Sequence, residues 1–472
     1  MDLRQQRLLL AAVLSGLLLA MLDQTVVGSA LPRIVRDLGG ADLYIWLVTA
    51  YLVPATVSVP VYARLSDRHG RRALLLTGMA LFLAGSGMAA TAQEMWQLIG
   101  WRALQGLGAG ALEGLSFILV ADLFAGRRNA ALQGALAGLM GVSFIAGPLI
   151  GGFLTDHVGW RWVFLVNLPI GLAAFVVVAA VLPASIGRSE RGAPVDVRGI
   201  ALLTLSVGLV LVGLSVRSHA GADGTLPGWL EPGTGGLIAA GLAMLAAFVA
   251  AERRAASPVI PLGLLTDRRT GALLLAAATG AFGLFAGALL LPLYFQNVRH
   301  VSATHSGLLI YPLLLGLVVS VNAGGMAIAR SGEFRQVILA ATGLLALGGL
   351  GFASFDASTP DWESFLFMLL MGAGVGPLLS GPQIALQRTV PPRAIGGAMG
   401  ALMLLRQVGA SLALTVAASL YASGRQGGAS AAAATGDAVC VVALAGVAVA
   451  AGALLSLPRG ARRFAPVPVP AH

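Results

Sequence analysis

The sequence predicts an all-α membrane protein with about 14 transmembrane helices, laid out as two six-helix bundles with a two-helix insert between them. Three observations carry the prediction. The first is composition: 472 residues, 57% hydrophobic and only 11% charged, with a mean hydropathy of +0.86. Soluble chains average about 25% charged residues, so this chain has too little charge to coat a water-facing surface and needs none if lipid is its solvent. The second is a succession of apolar runs of spanning length. A spanning helix takes roughly 20 apolar residues, so 14 of them use about 280 and leave about 190 for short connections. The third is the placement of the arginines, which chooses a side for every loop.

The runs fall at about 8–31, 44–63, 73–92, 97–121, 130–154, 160–182, 199–216, 234–251, 270–292, 306–328, 337–355, 363–386, 395–420 and 437–457, with ends good to roughly ±2–4 residues. The first is longer than a signal-peptide core and has no evident cleavage site, so it reads as a retained helix. Spans one to six form a first bundle, residues 1–182. The polar stretch PASIGRSERGAPVDVRG follows, then a hairpin of spans seven and eight around SHAGADGTLPGWLEPGTGG; linker and insert together occupy 183–268. The stretch ERRAASPVIPLGLLTDRR leads into six more spans, 269–457, and 458–472 reads as a cytoplasmic tail. A binding site between two six-helix halves is the expected transporter plan. The 63 glycines, about twice the usual share, suit close helix packing in a membrane.

All 30 basic residues are arginine. With the amino terminus inside and the sides alternating, about 22 arginines fall in inside segments and about 6 outside, which supports this orientation and an even number of spans. Both termini are then cytoplasmic. The all-arginine, alanine-rich bias points to a GC-rich genome, hence to a bacterial cytoplasmic (inner) membrane.

Several function classes are excluded. The net charge of +10 could suggest nucleic acid, but no polar domain is available to carry a groove-reading helix or a stacking sheet. The single cysteine, Cys440, excludes an intrachain disulfide framework and a cysteine metal cage. The G-x-x-x-x-G-K-[ST] phosphate loop needs a lysine that this chain lacks, so ATP is not its fuel. The H-E-x-x-H and G-x-S-x-G strings of enzymes are missing. The six histidines, His69, His157, His219, His300, His305 and His472, all fall in loops or ends.

The motifs carry a family resemblance. The inside loop ARLSDRHGRR, Ala63 to Arg72, lies between spans two and three. Gly70 permits a tight return, and Asp67 and Arg71, four apart, can pair on a helical turn. By itself this is equally a solvated basic loop that sets topology. The stretch resembles the loop motif G-x-L-x-D-R-x-G-R-[RK] of the major facilitator superfamily at Leu65, Asp67, Arg68, Gly70, Arg71 and Arg72, and departs from it at Ala63, where the family usually has glycine. RALQGLGAG in span four resembles R-x-x-Q-G-x-G at Arg102, Gln105, Gly106 and Gly108. GPLIGG in span five resembles the antiporter motif G-P-x-x-G-G at Gly147, Pro148, Gly151 and Gly152. WRWVFLVNLPIG (Trp160 to Gly171), LDQTVVGSALP (Leu22 to Pro32) and RQVGASLA (Arg406 to Ala413) resemble signatures of its 14-span drug:proton antiporter, or multidrug efflux, branch. Where that branch usually shows asparagine this chain has Gly28.

The charges within the spans then acquire roles. Asp23 is about eight residues short of the expected outer end at Leu31, roughly 12 Å deep, and Arg102 sits at similar depth in span four. A lone charge in mid-membrane costs on the order of 3 kcal/mol or more, so each should face a partner or a wet cavity. The family fold sets spans one and four side by side on a central cavity, so the resemblance implies that Asp23 and Arg102 meet. Glu113 is 11 residues after Arg102; at about 100° per residue it returns to within about 20° of the same face, about 16 Å nearer the inside. Two readings stay open: an Asp23–Arg102 pair that only locks helices together, or a proton and substrate site in which burial favours a neutral carboxylate and Arg102 an ionised one. Either Asp23 or Glu113 could carry the proton. Gln24, Gln105, Asn167 and Arg406 are candidate substrate or helix contacts, Arg406 being as well suited to bind helix carbonyls. The resemblance implies that Asp122 joins Asp67, Arg68, Gly70 and Arg71 in an inner-gate charge cluster. Pro148 with Gly138, Gly141, Gly147, Gly151 and Gly152 suggests a bent, smooth span five, or equally ordinary tight packing.

The expected function is proton-coupled export of amphipathic drugs or antibiotics by alternating access, with no enzyme activity, no cofactor and the proton gradient as energy source. A dedicated exporter of a lipid or of one self-made metabolite would use the same fold. The expected partners are a small amphipathic substrate, protons and membrane lipid, with no nucleic acid and no bound metal, and the chain is expected to act as a monomer.

Overall fold

The computed structural model describes residues 3–40, 43–123, 129–183, 196–217, 227–255, 262–356, 358–390 and 395–457. Most of the expected linker and the whole expected tail lie outside them. The described chain is helical throughout. In order it forms α1 (Leu3–Leu38), α2 (Tyr44–His69), α3 (Arg71–Ala90), α4 (Met95–Leu123), α5 (Asn129–His157), α6 (Trp162–Leu165), α7 (Asn167–Val181) and α8 (Val197–Arg217). A π-helical turn, Pro232–Gly236, opens α9 (Leu237–Glu252). Then come α10 (Leu262–Thr266), α11 (Arg268–Thr279), α12 (Phe282–Asn297), α13 (Ala303–Leu309), α14 (Tyr311–Ser331), α15 (Phe334–Gly351), α16 (Asp361–Thr389), α17 (Ile395–Gln426) and α18 (Ala431–Leu455).

All 14 apolar runs fall on helix, three of them on two helices in tandem. The breaks at Val166 and Ile310 precede Pro169 and Pro312, each in the first turn of the following helix, where the missing N–H leaves no bond unmade. Among the described residues 12 helical stretches are long and apolar enough to cross a membrane, and α2 contributes the shorter apolar stretch Trp46–Val59. Their outward faces are apolar: Leu172, Val176, Leu242, Val319 and Leu347 are all exposed, as lipid contact requires. The chain is an all-α, multi-pass membrane protein. Its first helix overruns the expected span end at Leu31 by two turns, so Asp23 lies further from the helix terminus than the sequence suggested.

The chain divides into two compact units. The first comprises 1–219, 228–259 and 302–308; the second comprises 220–227, 260–301 and 309–472. In the first unit α4 packs between α2 and α3, α1 lies against α4, α5 and α7, and the α8–α9 hairpin docks through α8 on α2. Glycines set these distances. A side chain at Gly85 in α3 would run into the backbone of Gln105 in α4, and one at Gly106 would meet the Tyr51 carbonyl on α2. Backbones approach this closely only where no Cβ intervenes. In the second unit α16 packs between α14 and α15, and α11, α12, α15 and α17 surround α18. Gly372 and Gly376 of α16 abut the backbone of α14 at Leu313 and Ser320 in the same manner.

Candidate functional site

The site lies in the first unit, where α1, α2, α3, α4 and α7 converge. Asp23 of α1 and Arg102 of α4 form an ion pair between Oδ2 and Nη1, with relative exposures of 2% and 1%. The other carboxylate oxygen, Oδ1, accepts from Gln105 Nε2 at 2.8 Å and from Asn167 Nδ2 at 3.1 Å. Both amides also donate to Ser86 Oγ on α3, at 3.2 Å and 2.9 Å, and Ser86 donates onward to the Phe164 carbonyl at 2.9 Å. Arg102 donates through Nη1 to Gln105 Oε1 at 2.8 Å and through Nε to the Leu47 carbonyl at 3.4 Å. Its guanidinium sits 4.1 Å from the centroid of the Tyr51 ring, whose hydroxyl bonds the Ala20 carbonyl at 2.9 Å. A charge buried in apolar surroundings is tolerated only when paired and hydrogen-bonded, and here both are.

The geometry follows from local sequence. Arg102 and Gln105 are three apart on α4 and present one face. Asn167 is held at the first turn of α7 by the break before Pro169. Gly85, beside Ser86, lets α3 approach α4 closely enough for the hydroxyl to reach both amides.

Glu113 is not part of this cluster. It accepts from Gln24 Nε2 at 2.6 Å, joining α4 to α1 a second time. Gln24 and Glu113 are half-buried, whereas Asp23, Arg102, Gln105 and Asn167 are sealed. Adjacent residues on α1 point about 100° apart, so Asp23 turns into the bundle core and Gln24 turns toward Glu113.

The other sequence-predicted residues divide. Asp67 and Arg71 do not share a helical turn: α2 ends at His69, Gly70 adopts φ 87° and ψ 148°, and α3 starts at Arg71. Arg71 donates to the Ile118 carbonyl of α4 at 3.2 Å. The side chains of Asp67, Arg68 and Asp122 lie outside the described residues. Gly147 and Gly151 of α5 back onto α1, where a Cβ would collide with Thr25 Oγ1 and with Ser29 Oγ. Gly152 and Pro148 back onto residues 303–307, Gly152 against the Ala303 and Thr304 backbone and Pro148 against Gly307. In the second unit, Arg406 Nη2 donates to the Leu379 carbonyl, between Pro377 and Pro382 of α16, which makes it a helix contact. Sequence reasoning missed Ser86, the hydrogen-bond hub, and Tyr51, the platform under Arg102. A lone hydroxyl among glycines in AGSGMAA was the available signal for the first.

Intramembrane charges are thus joined across packed helices, with small residues between the helices. Residues 13–414 match the Major Facilitator Superfamily family model. The chain belongs to the major facilitator superfamily. It is 32% identical over 410 residues to the Multidrug transporter protein MdtP of Bacillus subtilis (strain 168), covering 86% of this chain and 74% of that one. It is 30% identical over 406 residues to the Multidrug resistance protein 3 of the same organism, covering 86% and 77%. Against the Uncharacterized MFS-type transporter MT1926 of Mycobacterium tuberculosis (strain CDC 1551 / Oshkosh) it is 31% identical over 417 residues, covering 88% of this chain and 60% of that relative. This superfamily member is accordingly a non-enzymatic transporter.

Proposed function

We propose that this transporter exports small amphipathic drugs or antibiotics from a bacterial cytoplasm in exchange for protons, by alternating access of two six-helix halves, residues 1–182 and 269–457. The single observation that supports the reading most is the pair of carboxylates, Asp23 and Glu113, each linking α1 to α4 within candidate spans. An intramembrane carboxylate is a functional group by default. The antiporter motif on α5 supports it further by presenting a smooth face to α1, and the multidrug names of the two Bacillus relatives agree with it. Arginine placement supports cytoplasmic termini, and Asp67, Arg68, Gly70, Arg71 and Asp122 form the inner-gate cluster in this reading. The transporter acts as a monomer. Energetically one proton suffices: a potential of about 100 mV supplies roughly 2.3 kcal/mol, enough to support a gradient of about 50-fold for an uncharged cargo.

Reconstituted vesicles holding the full chain and a pH-sensitive dye test the reading. Adding ethidium, a fluoroquinolone or chloramphenicol should provoke proton flux, and a proton gradient should drive these compounds uphill. Movement that only follows the cargo's own gradient would overturn proton coupling. Response to a single compound of a broad panel would replace multidrug export by a dedicated exporter.

A further inference from the structure

We infer that Glu113, partnered by Gln24, is the group that exchanges protons, and that Asp23 is an anchor that positions α1 against α4. The inference rests on the proton-coupled reading above and divides its two carboxylates by hydrogen-bond chemistry.

Every side-chain atom bonded to the Asp23 carboxylate is a donor. Arg102 Nη1 occupies Oδ2, while Gln105 Nε2 and Asn167 Nδ2 occupy Oδ1. Guanidinium has no acceptor to offer. The two amides cannot turn their oxygens toward Asp23 at no loss, because each also donates to Ser86, whose own hydroxyl hydrogen is committed to the Phe164 carbonyl. Turning Gln105 would also break the bond its Oε1 accepts from Arg102. A proton added to Asp23 would thus face donors on every side. It would also have no route, because Asp23 and its partners are buried.

Glu113 differs on both counts. It is half-buried, and so is its partner Gln24. The amide of Gln24 carries a donor and an acceptor on one carbon, so rotation about its last side-chain torsion serves both states of Glu113. Nε2 donates to the carboxylate, as seen at 2.6 Å, and Oε1 accepts from the protonated acid. Tyr51 on α2 is within electrostatic reach of Glu113, of Asp23 on α1 and of Arg102, and its hydroxyl also hydrogen-bonds Gln24. From α3, Arg71 reaches α4 at Ile118. Because Asp23 and Arg102 neutralise each other, the proton on Glu113 sets the net charge between α1 and α4.

Infrared difference spectra of the full chain in lipid, recorded as the buffer is stepped from mildly acid to mildly alkaline, test this without any cargo. A protonated-carboxyl stretch that titrates should be present in the wild type, fall at least tenfold in Glu113→Gln and persist in Asp23→Asn. Gln24→Leu, which keeps both acids, should retain the band and move its midpoint; it is informative even if Asp23→Asn fails to fold. A band that survives in Glu113→Gln, or a midpoint unmoved in Gln24→Leu, overturns the assignment. A wild type that shows the band but moves no protons for any cargo in vesicles overturns the export reading instead.

Discussion

Asp23 and Arg102 are separated by 79 positions in the chain and form a sealed ion pair between α1 and α4. Removing one partner strands the other in a medium that cannot solvate it, a loss of about 3–5 kcal/mol. Asp23→Ala and Arg102→Ala should each lower the apparent melting temperature in detergent. The double variant should recover part of that loss, since no unpaired charge remains. Single variants melting at the wild-type temperature would mean the pair contributes nothing to the packing of α1 on α4.

The α1–α5 contact depends on missing side chains. Gly147→Val and Gly151→Val each push a Cβ into α1, at Thr25 and Ser29. Overpacking of this kind costs typically about 1–3 kcal/mol, and here it also roughens the face along which the helices would slide. Transport should fall at least tenfold with the protein still inserted. Gly100, which has open space around its Cα, serves as the control: Gly100→Ala should be neutral or stabilise by up to about 1 kcal/mol. Cell-based efflux with surface labelling measures both.

Gly70 joins α2 to α3 at φ 87° and ψ 148°, and its N–H bonds the Ser66 carbonyl at 3.0 Å. That backbone region is essentially reserved for glycine, and another residue held there costs of order 1–3 kcal/mol. Gly70→Ala should therefore lower thermal stability, and Gly70→Pro more so, because it also removes the donated bond. A melting curve of Gly70→Ala superimposable on the wild type would contradict the strained turn.

Asp267 caps α11, accepting from the Thr270 N–H at 2.8 Å. That backbone bond chiefly holds its carboxyl below the ordinary range, helped by the Thr270 hydroxyl and Arg269 and opposed by modest burial. A depressed folded value means that the stabilisation is complete above the unfolded value near about 3.9 and is lost as pH falls through the folded value. At neutral pH Asp267→Ala should cost about 0.5–2 kcal/mol. The melting gap from wild type should narrow in strong acid, while Asp267→Asn, which caps without titrating, should show no such narrowing. A gap independent of pH would rule out the charged cap.

Much of the architecture was legible in the sequence because lipid imposes one rule: backbone polar groups must be satisfied within the helix. All 14 apolar runs became helix for that reason. The meeting of Asp23 with Arg102 was legible only through family resemblance, and tertiary structure alone decided what surrounds them. Helical periodicity put Glu113 and Arg102 on one face, yet adjacent residues of α1 partner them, one sealed and one half-buried. Ser86 and Asn167 come from helices that no local pattern connects, and Asp67 with Arg71 lost its helical spacing to a glycine turn. Composition and periodicity thus determined that this chain crosses the membrane and which side chains lie within it. Which carboxylate is sealed among donors and which is half-buried beside a single amide was decided by the three-dimensional packing around each, because hydrogen bonding is directional and sequence spacing carries no direction between helices.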